Sequence, residues 1–183
     1  MDFKKVLAII IKKFEKNNIK YALMGGFGLG ALGIVRATLD LDFLIHSDFI
    51  DTVENIMKKL GYNCVYKTKN VSQFVSDLKF FGEIDFVHAF RKYSREALKR
   101  AIEIPVFKGK FKIKVLTPED FIGFKLQAVA NDETRRSRDF ADIEAIIEKY
   151  NESLDWNLIK QYFLLFKMSK EFKKFKKKYD KDK

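Results

Sequence analysis

The chain has 183 residues, and 47% of them are hydrophobic, which is an ordinary apolar share for a chain that buries one core. Its one cysteine, Cys64, excludes a disulfide framework. With one cysteine and two histidines in all, the sequence does not provide the Cys and His ligands of a typical zinc site. No stretch reaches the ~18 consecutive apolar residues of a membrane span, and residues 1–11 lack the features of a signal peptide. We therefore expect a cytoplasmic protein that does not bind membranes.

The net charge indicates the kind of partner. The chain carries 36 Lys and Arg against 25 Asp and Glu, a formal charge of +11, which favours a polyanion such as RNA, DNA or a nucleoside triphosphate. Residues 160–183 contain ten of the lysines and three acids, so residues 1–159 carry a net charge of only +4. Such a tail is more often a solubilising or non-specific electrostatic element than a site of chemistry. Its aromatic residues are spaced to form the apolar stripe of a helix packed on the body: Phe172, Phe175 and Tyr179.

The hydrophobic pattern predicts helices and strands that alternate over the first two thirds of the chain. Helices are predicted over residues 3–14 and 48–60, and a glycine-rich turn with a short helix over residues 25–33. The predicted strands cover residues 21–24, 39–45, 63–66, 71–80, 83–89, 102–107 and 111–115. After the capping sequence Thr117-Pro118, helices are predicted over residues 118–130, 134–150 and 156–166. The predicted fold class is α+β, with a mixed α/β sheet and a helical C-terminal part.

The sequence shows no linker that would separate domains before residue 150. It has no internal repeat, no low-complexity stretch and only two prolines. We therefore predict one domain over residues 1–150, and a helical extension with the lysine-rich tail over residues 151–183 that packs on the same domain.

Two acidic residues stand two positions apart in the strand predicted over residues 39–45. Because side chains alternate between the faces of a strand, Asp40 and Asp42 lie on the same face. The alternate residues, Leu39 and Leu41 among them, are expected to face a core. Paired like charges are relieved by divalent cations, which in nucleotidyl transfer sit about 3.5–4 Å apart and clamp the attacking and leaving oxygens. Mg²⁺ is the natural ion for an all-oxygen site that substrate phosphates complete.

A third acidic residue joins this pair if two strands are neighbours. Asp85 lies in the alternating strand predicted over residues 83–89, and it can meet Asp40 and Asp42 where that strand lies beside theirs. The alternative is a surface strand with scattered, solvated acids. The glycines upstream of Asp40 favour the first interpretation.

These glycines allow two interpretations. Residues 28–33 match the G-x-G-x-x-G pattern of dinucleotide-binding folds, but Gly25 and Gly26 occupy the turn that closes the strand, and the next strand follows almost at once. We therefore reject the dinucleotide-binding interpretation. Gly25 and Gly26 instead allow backbone N–H groups to approach phosphate oxygens at a helix N-terminus. The glycines of residues 28–33, with Gly30 among them, are expected to serve close helix packing.

Two segments resemble a known family. Residues 23–45, LMGGFGLGALGIVRATLDLDFLI, resemble the signature of the DNA polymerase β-like nucleotidyltransferase superfamily: an apolar strand, a Gly-Gly or Gly-Ser turn, and Asp-x-Asp on the next strand, with a third acid on a later strand. Arg36 and Thr38 match the small prokaryotic branch that contains the AbiEii-type toxins. Residues 117–147, TPEDFIGFKLQAVANDETRRSRDFADIEAII, are similar to that branch in their Pro-Glu-Asp helix start, their lysine and their basic-Asp-x-x-Asp helix.

The resemblance implies a role for each matching position. It implies a nucleotidyltransferase-type fold in which Asp40 and Asp42 are metal ligands and Asp85 is the third carboxylate, which also helps to activate the attacking hydroxyl. The implied cofactor is Mg²⁺, as two ions, with Mn²⁺ as the alternative. Lys125 is the lysine expected on the triphosphate. The residues implied in substrate binding are Gly25, Gly26, Arg36, Thr38, Lys125, Arg135, Arg138 and Asp142, with Asp139 as a further acid.

The downstream motif also has a purely structural interpretation. Arg135 and Asp139 stand four residues apart on a helix, as do Arg138 and Asp142, and such pairs stabilise a surface helix by only ~0.2–0.5 kcal/mol each. In both pairs the base precedes the acid, which is the weaker order and therefore favours a functional role. Lys125 lies among apolar residues, and in the structural alternative its side chain extends to solvent.

We therefore expect a Mg²⁺-dependent nucleotidyltransferase that moves a nucleoside monophosphate from a nucleoside triphosphate to a hydroxyl acceptor. The charge favours tRNA or another RNA as acceptor, while a protein hydroxyl or a small molecule stays open. The resemblance to toxins adds a separately encoded antitoxin as a partner. Two alternatives remain: a non-catalytic nucleotide- or RNA-binding module of the same fold, and an RNA-binding protein whose tail makes the contacts.

Overall fold

A computed structural model describes residues 1–78 and 80–179. Residue 79, inside a predicted strand, and residues 180–183, the end of the lysine-rich tail, lie outside the described residues. The chain divides into two compact units, Met1–Leu116 and Thr117–Lys183. The predicted domain over residues 1–150, with its extension, stays a prediction.

The first unit contains a mixed sheet. Its described residues form seven strands: β1 (Tyr21–Met24), β2 (Asp40–His46), β3 (Tyr62–Lys67), β4 (Val71–Ser76), β5 (Glu83–Ala89), β6 (Ile102–Val106) and β7 (Phe111–Val115). Their order across the sheet is β3-β4-β5-β2-β1-β7-β6. The pairs β2–β5 and β1–β7 are parallel, and the other neighbours are antiparallel. This sheet confirms the predicted mixed α/β class.

Helices of the first unit cover the sheet and fix its central strands. They are α1 (Phe3–Lys16), α2 (Gly25–Ala31), α3 (Ile50–Lys59) and α4 (Lys92–Arg100). Phe14 of α1 packs against Phe43 of β2 and Phe86 of β5, with ring centroids 5.6 and 6.2 Å apart. Because side chains alternate along a strand, this aromatic core lies on one face of β2 and β5, and their acidic residues lie on the other.

The second unit is helical. Its described helices are α5 (Pro118–Asn131), α6 (Arg136–Tyr150), α7 (Trp156–Leu165) and α8 (Ser169–Tyr179). Thr117 caps α5 as predicted, since its side chain accepts a hydrogen bond from the backbone N–H of Asp120. Gly123 allows α5 and α7 to approach, because a Cβ there would lie 2.6 Å from the Tyr162 ring. None of the helices in the described part of the chain is long and apolar enough to cross a membrane.

The lysine-rich tail packs by one face. On α8, the rings of Phe172 and Phe175 lie 5.6 and 5.8 Å from the ring of Phe163 in α7. Phe175 is buried, whereas Lys173 and Lys174 are exposed. The predicted apolar stripe of this segment is therefore confirmed.

Two predicted strands have different ends in the structure. The strand predicted over residues 71–80 ends at Ser76, because the Ser76 hydroxyl accepts the N–H of Leu78 and the chain turns toward β5. The strand predicted from residue 39 begins at Asp40, where the pairing with β5 begins. Leu39 therefore has no place in the sheet, is 88% exposed and does not face the core, contrary to the prediction.

Two helices also differ from the prediction. The hydrophobic pattern misses α4, because its buried residues Ser94 and Ala97 are small and give little apolar periodicity. The helix predicted over residues 134–150 begins two residues later, since the side chain of Asp132 caps a short 3-10 turn, Glu133–Arg135, ahead of it. The other predicted elements agree with the structure to within two residues at each end.

Candidate active site

The strand register brings three carboxylates together. Asp42 pairs with Asp85 across the parallel strands β2 and β5, and Asp40 lies on the same face of β2 as Asp42. One carboxylate oxygen of each residue lies within 4.8 Å of the others, and all three residues are partly buried. The two strands that carry these acids are therefore neighbours in the sheet, as predicted. We call these three residues the acidic triad.

Gly25 follows β1 directly and approaches the acidic triad. β1 and β2 are antiparallel with Met24 opposite Asp42, so the residue after Met24 lies beside the Asp42 side chain. Gly25 has a φ of +62°, and a Cβ built on it would overlap the Asp42 carboxylate. Glycine is required here both for the backbone conformation and for space.

The loop before β2 supports Asp40. Thr38 Oγ1 donates a hydrogen bond of 2.5 Å to Asp40 Oδ1. A Cβ at Gly26 would lie 2.6 Å from the Thr38 Cβ and 3.5 Å from the Arg36 Cγ, so Gly26 leaves room for this loop. By contrast, no described atom lies within 4 Å of a Cβ built at Gly30. The predicted packing role of Gly30 is therefore wrong.

Asp85 is held by a residue that the sequence analysis missed. Gln73 lies opposite Asp85 in the antiparallel β4–β5 pair, and its Nε2 donates a hydrogen bond of 3.0 Å to Asp85 Oδ2. Burial raises the pKa of Asp85 above its ordinary value, and the Gln73 hydrogen bond acts in the opposite direction. The only sequence signal for Gln73 is a polar residue in an alternating strand. Its importance appears only when the strand register is known.

The second oxygen of Asp85 shows that the acidic triad fits a divalent cation. Asp85 Oδ1 is buried and has no hydrogen-bond partner within residues 1–78 and 80–179. Such an oxygen is costly to bury unless a cation or a proton compensates its charge. Carboxylate oxygens are the hard ligands that Mg²⁺ and Mn²⁺ prefer. The donor set of Asp40, Asp42 and Asp85 therefore suits the predicted ion.

The residues predicted farther along the chain form an ion cluster in the second unit. Lys125 Nζ donates hydrogen bonds of 2.9 Å to Asp139 Oδ1 and 2.6 Å to Asp142 Oδ2. Arg135 Nε donates one of 2.9 Å to Asp139 Oδ2. Arg138 is half-exposed, with its Nε 4.0 Å from Asp139 Oδ1. The Lys125 side chain is only 14% exposed, so the alternative in which it extends to solvent is wrong.

The ion cluster keeps Asp139 ionised inside the unit. Burial of this carboxylate raises its pKa, but the hydrogen bonds from Arg135 and Lys125 outweigh burial and hold the pKa below its ordinary value. Lys125 therefore neutralises buried negative charge. Its predicted contact with a triphosphate stays a prediction, as do the substrate contacts of Arg135, Arg138 and Asp142.

One protein-family profile matches most of the chain. The profile of a family described as "Uncharacterised nucleotidyltransferase" matches residues 4–170. The chain belongs to this nucleotidyltransferase family. The enzyme class predicted from the sequence is thereby confirmed. A search of curated proteins gave no match.

Solved structures share the fold of this nucleotidyltransferase. The antibiotic-resistance factor ANT(2″)-Ia in solution has a TM-score of 0.66 at 14% identity, over 91% of this chain and 93% of that one. Its crystal structure with adenylyl-2″-tobramycin has a TM-score of 0.63 at 15% identity, over 90% and 97%. The lincomycin-bound lincosamide adenylyltransferase LnuA has a TM-score of 0.56 at 18% identity, over 78% and 94%. At these identities the similarity establishes the fold.

Gly25 gives a first prediction for the nucleotidyltransferase. The variant Gly25→Ala is expected to lose transfer activity by about 10²-fold or more, because its Cβ displaces the Asp42 carboxylate and a misplacement of about 1 Å costs that much. Release of pyrophosphate from a nucleoside triphosphate measures the rate. Gly30→Ala is the matched control, since its Cβ meets open space and its activity should be unchanged. Equal rates of the two variants would contradict this account of Gly25.

Gln73 gives a second prediction. The variant Gln73→Met keeps the length of the side chain but removes the donor to Asp85, and we expect kcat to fall by about 10–100-fold. The KM for the nucleoside triphosphate should change much less, because Gln73 acts through the orientation of Asp85. The exposed Gln161 provides the control variant Gln161→Met. A rise in KM at unchanged kcat would show that Gln73 does not position Asp85.

Proposed function

We propose that this nucleotidyltransferase transfers a nucleoside monophosphate from a nucleoside triphosphate to an acceptor hydroxyl, with Mg²⁺ held by the acidic triad. The observation that carries the proposal is the acidic triad itself. Three carboxylate oxygens lie within 4.8 Å of one another, Asp85 Oδ1 is buried without a hydrogen-bond partner in the described chain, and the absence of a side chain at Gly25 gives the Asp42 carboxylate its place.

Different residues of the site would bind the metal ions, bind the phosphates and position the carboxylates. Asp40 and Asp42 would hold two Mg²⁺ ions together with Asp85, and Mn²⁺ is the alternative ion. When bound, divalent cations neutralise phosphate charge and stabilise the attacking and leaving oxygens. Gly25 and Gly26 begin α2, where backbone N–H groups without an intrahelical partner would donate to phosphate oxygens. Thr38 keeps Asp40 in place, as Gln73 does for Asp85.

Asp85 activates the acceptor in this proposal. Its Oδ1 has no partner in the described chain and would face the cation, while Oδ2 accepts one hydrogen bond from Gln73 and keeps a second lone pair, with which it would accept the proton of the acceptor hydroxyl. The hydroxyl oxygen then forms a bond to the α-phosphorus, and the bond from the α-phosphorus to the β-phosphate oxygen breaks. Pyrophosphate leaves, and the nucleoside monophosphate stays on the acceptor.

The acceptor we favour is RNA, tRNA included. The formal charge of +11 supports a polyanionic acceptor. One protein of the same fold was solved with adenylyl-2″-tobramycin and another with lincomycin, which makes a small hydroxylated molecule the second candidate.

The resemblance to AbiEii-type toxins adds a biological role to the proposal. It rests on Arg36 and Thr38 and on the motif of residues 117–147. In this role the enzyme arrests growth by modifying RNA, and an antitoxin protein from a separate gene restores growth. Induction in a bacterial host should then stop growth for the wild type and not for Asp42→Asn. Equal growth of the two strains would remove the toxin role and leave the transfer chemistry untouched.

Thermal unfolding tests the proposed metal-dependent nucleotide site. With Mg²⁺ and a nucleoside triphosphate at about 100 times its Kd, stabilisation of roughly 2.7 kcal/mol should raise the Tm by about 5–10 °C. The shift should vanish in EDTA and in Asp42→Asn. An equal shift in EDTA and in the variant would contradict a metal site at the acidic triad, and it would favour the non-catalytic nucleotide-binding module.

A further inference from the structure

A large cleft lies away from the acidic triad in the first unit. It has a volume of about 1540 Å³ and is bordered by residues of α1, α4 and β7. Tyr21 and His46 contribute to it, and they are the first residue of β1 and the last residue of β2. Asp42 lies four residues before His46 on the same strand face, which corresponds to about 13 Å. The cleft therefore occupies the end of these strands opposite to Gly25 and Asp42.

The lining of the cleft is strongly basic. Seven Lys and Arg residues contribute to it, against three glutamates. One lysine, Lys99, is paired with Glu96 at 2.8 Å. The other six belong to three different walls: Lys12, Lys20, Lys92, Arg95, Lys112 and Lys114. All six are exposed, and within the described parts of the chain none of them forms an ion pair. The cleft therefore presents uncompensated positive charge to solvent.

We propose that this cleft binds the sugar-phosphate backbone of an RNA acceptor. Concave walls that carry like charges focus the field and attract a polyanion. The volume exceeds the roughly 300–1,000 Å³ of ordinary small-molecule sites, and the cations are distributed over three walls instead of converging on one anion. A chain of phosphates matches that distribution. The inference rests on the proposed function in taking the bound RNA as the acceptor.

The residue composition and shape of the cleft favour RNA over a protein or a membrane as its ligand. Lysine is depleted at protein–protein interfaces, whereas lysine and arginine supply many of the contacts to phosphate oxygens in nucleic-acid complexes. A concave surface does not fit the flat face of a membrane. Of the phenyl rings in the lining, that of Tyr21 is buried and that of Phe111 packs against Phe107, so the contacts expected here are mainly with the backbone. Binding should therefore depend on salt and only weakly on RNA sequence.

Charge reversal on one wall tests the cleft. In Lys92→Glu/Arg95→Glu, both changes lie in the first turns of α4, where acidic residues favour a helix, so the fold should be kept. Fluorescence anisotropy with a labelled single-stranded RNA of mixed sequence measures the Kd as a function of salt. We expect binding at least tenfold weaker, and a salt slope reduced by about 1.4, for two lost phosphate contacts. The Mg²⁺-dependent thermal shift with nucleoside triphosphate should stay as in the wild type.

The tail provides the matched control. Lys173→Glu/Lys174→Glu changes the charge by the same amount at exposed positions of α8. If this variant loses RNA affinity and the α4 variant does not, the cleft proposal is overturned and the tail is the RNA-binding element. Equal losses in the two variants would likewise overturn it, since they would indicate a response to net charge alone.

The variant Asp42→Asn separates this inference from the proposed function. It should bind RNA as the wild type does, because the cleft lies at the other end of the strands. If the wild type binds RNA through the cleft but transfers no nucleotide to it, the acceptor part of the proposal fails. Loss of RNA binding in Asp42→Asn would show that the RNA contacts lie at the acidic triad and would contradict a separate cleft site.

Discussion

The variant Asp42→Asn is expected to transfer nucleotide about 10³-fold more slowly than the wild type while it stays folded. Asp42 pairs with Asp85 across the sheet, and its carboxylate occupies the position that a side chain at Gly25 would fill. The amide removes one negative charge from the cation site, and loss of one such preorganised electrostatic group typically costs about 10²–10³ in kcat. Pyrophosphate release at saturating nucleoside triphosphate and Mg²⁺ gives the rate.

An exposed aspartate provides the control for this variant. Asp51→Asn makes the same chemical change at an exposed position of α3, outside the strands that carry the acidic triad, and should leave the rate unchanged. If Asp42→Asn retains more than about a tenth of the wild-type rate, the assignment of Asp42 as a metal ligand is wrong.

The variant Lys125→Met is expected to lower the stability of the chain by about 3–5 kcal/mol. The change leaves Asp139 and Asp142 buried without their shared ammonium group, and breaking a buried ion pair from one side carries a cost of this size. Urea denaturation of the two proteins measures the difference in the free energy of unfolding. Lys160→Met, at an exposed position of α7, is the control and should cost less than about 0.5 kcal/mol.

The pH dependence of this loss follows from Asp139. Its pKa lies below the ordinary value in the folded chain, so its ionisation contributes stability above the ordinary pKa of 3.8 and the contribution is lost as the pH falls through the folded pKa. The wild type and Lys125→Met should therefore become more similar in stability below pH about 4. If Lys125→Met unfolds like the wild type at pH 7 and only raises the KM for nucleoside triphosphate, Lys125 is a phosphate ligand and not a structural cation.

The acidic triad could be predicted from the sequence because its signals are local. Two aspartates at strand spacing and a Gly-Gly turn one strand earlier define the site almost without tertiary information. Only the place of Asp85 required an assumption, namely that two alternating strands are neighbours, and the β2–β5 register supplies it. The mixed sheet followed from the same alternation of strand and helix patterns.

The parts that were missed depend on register and packing. Gln73 looks like any polar residue of a half-buried strand until β4 is aligned with Asp85. The exposure of Leu39 follows from the point where strand pairing begins, which its apolar character conceals. The pairing of Lys125 with two carboxylates joins residues on different helices, whereas spacing along one helix could show only pairs four residues apart, such as Arg135 with Asp139.

The basic cleft could not be predicted either. Its cations come from α1, the residue before β1, α4 and β7, and none of them stands out in a chain with 36 basic residues. Only the fold places them around one cavity. The net charge drew attention to the tail instead, because the tail lysines are close together in the sequence.

The fate of two labels distinguishes nucleotidyl transfer at the acidic triad from other phosphate chemistry. The wild-type protein is incubated with Mg²⁺, RNA and each nucleoside triphosphate labelled either at the α-phosphorus or at the γ-phosphorus, beside Asp40→Ala/Asp42→Ala. We expect α-label in a discrete RNA band and γ-label in pyrophosphate, both only with the wild type. Label from the γ-phosphorus in RNA, or equal α-label with the double variant, would contradict nucleotidyl transfer at the acidic triad.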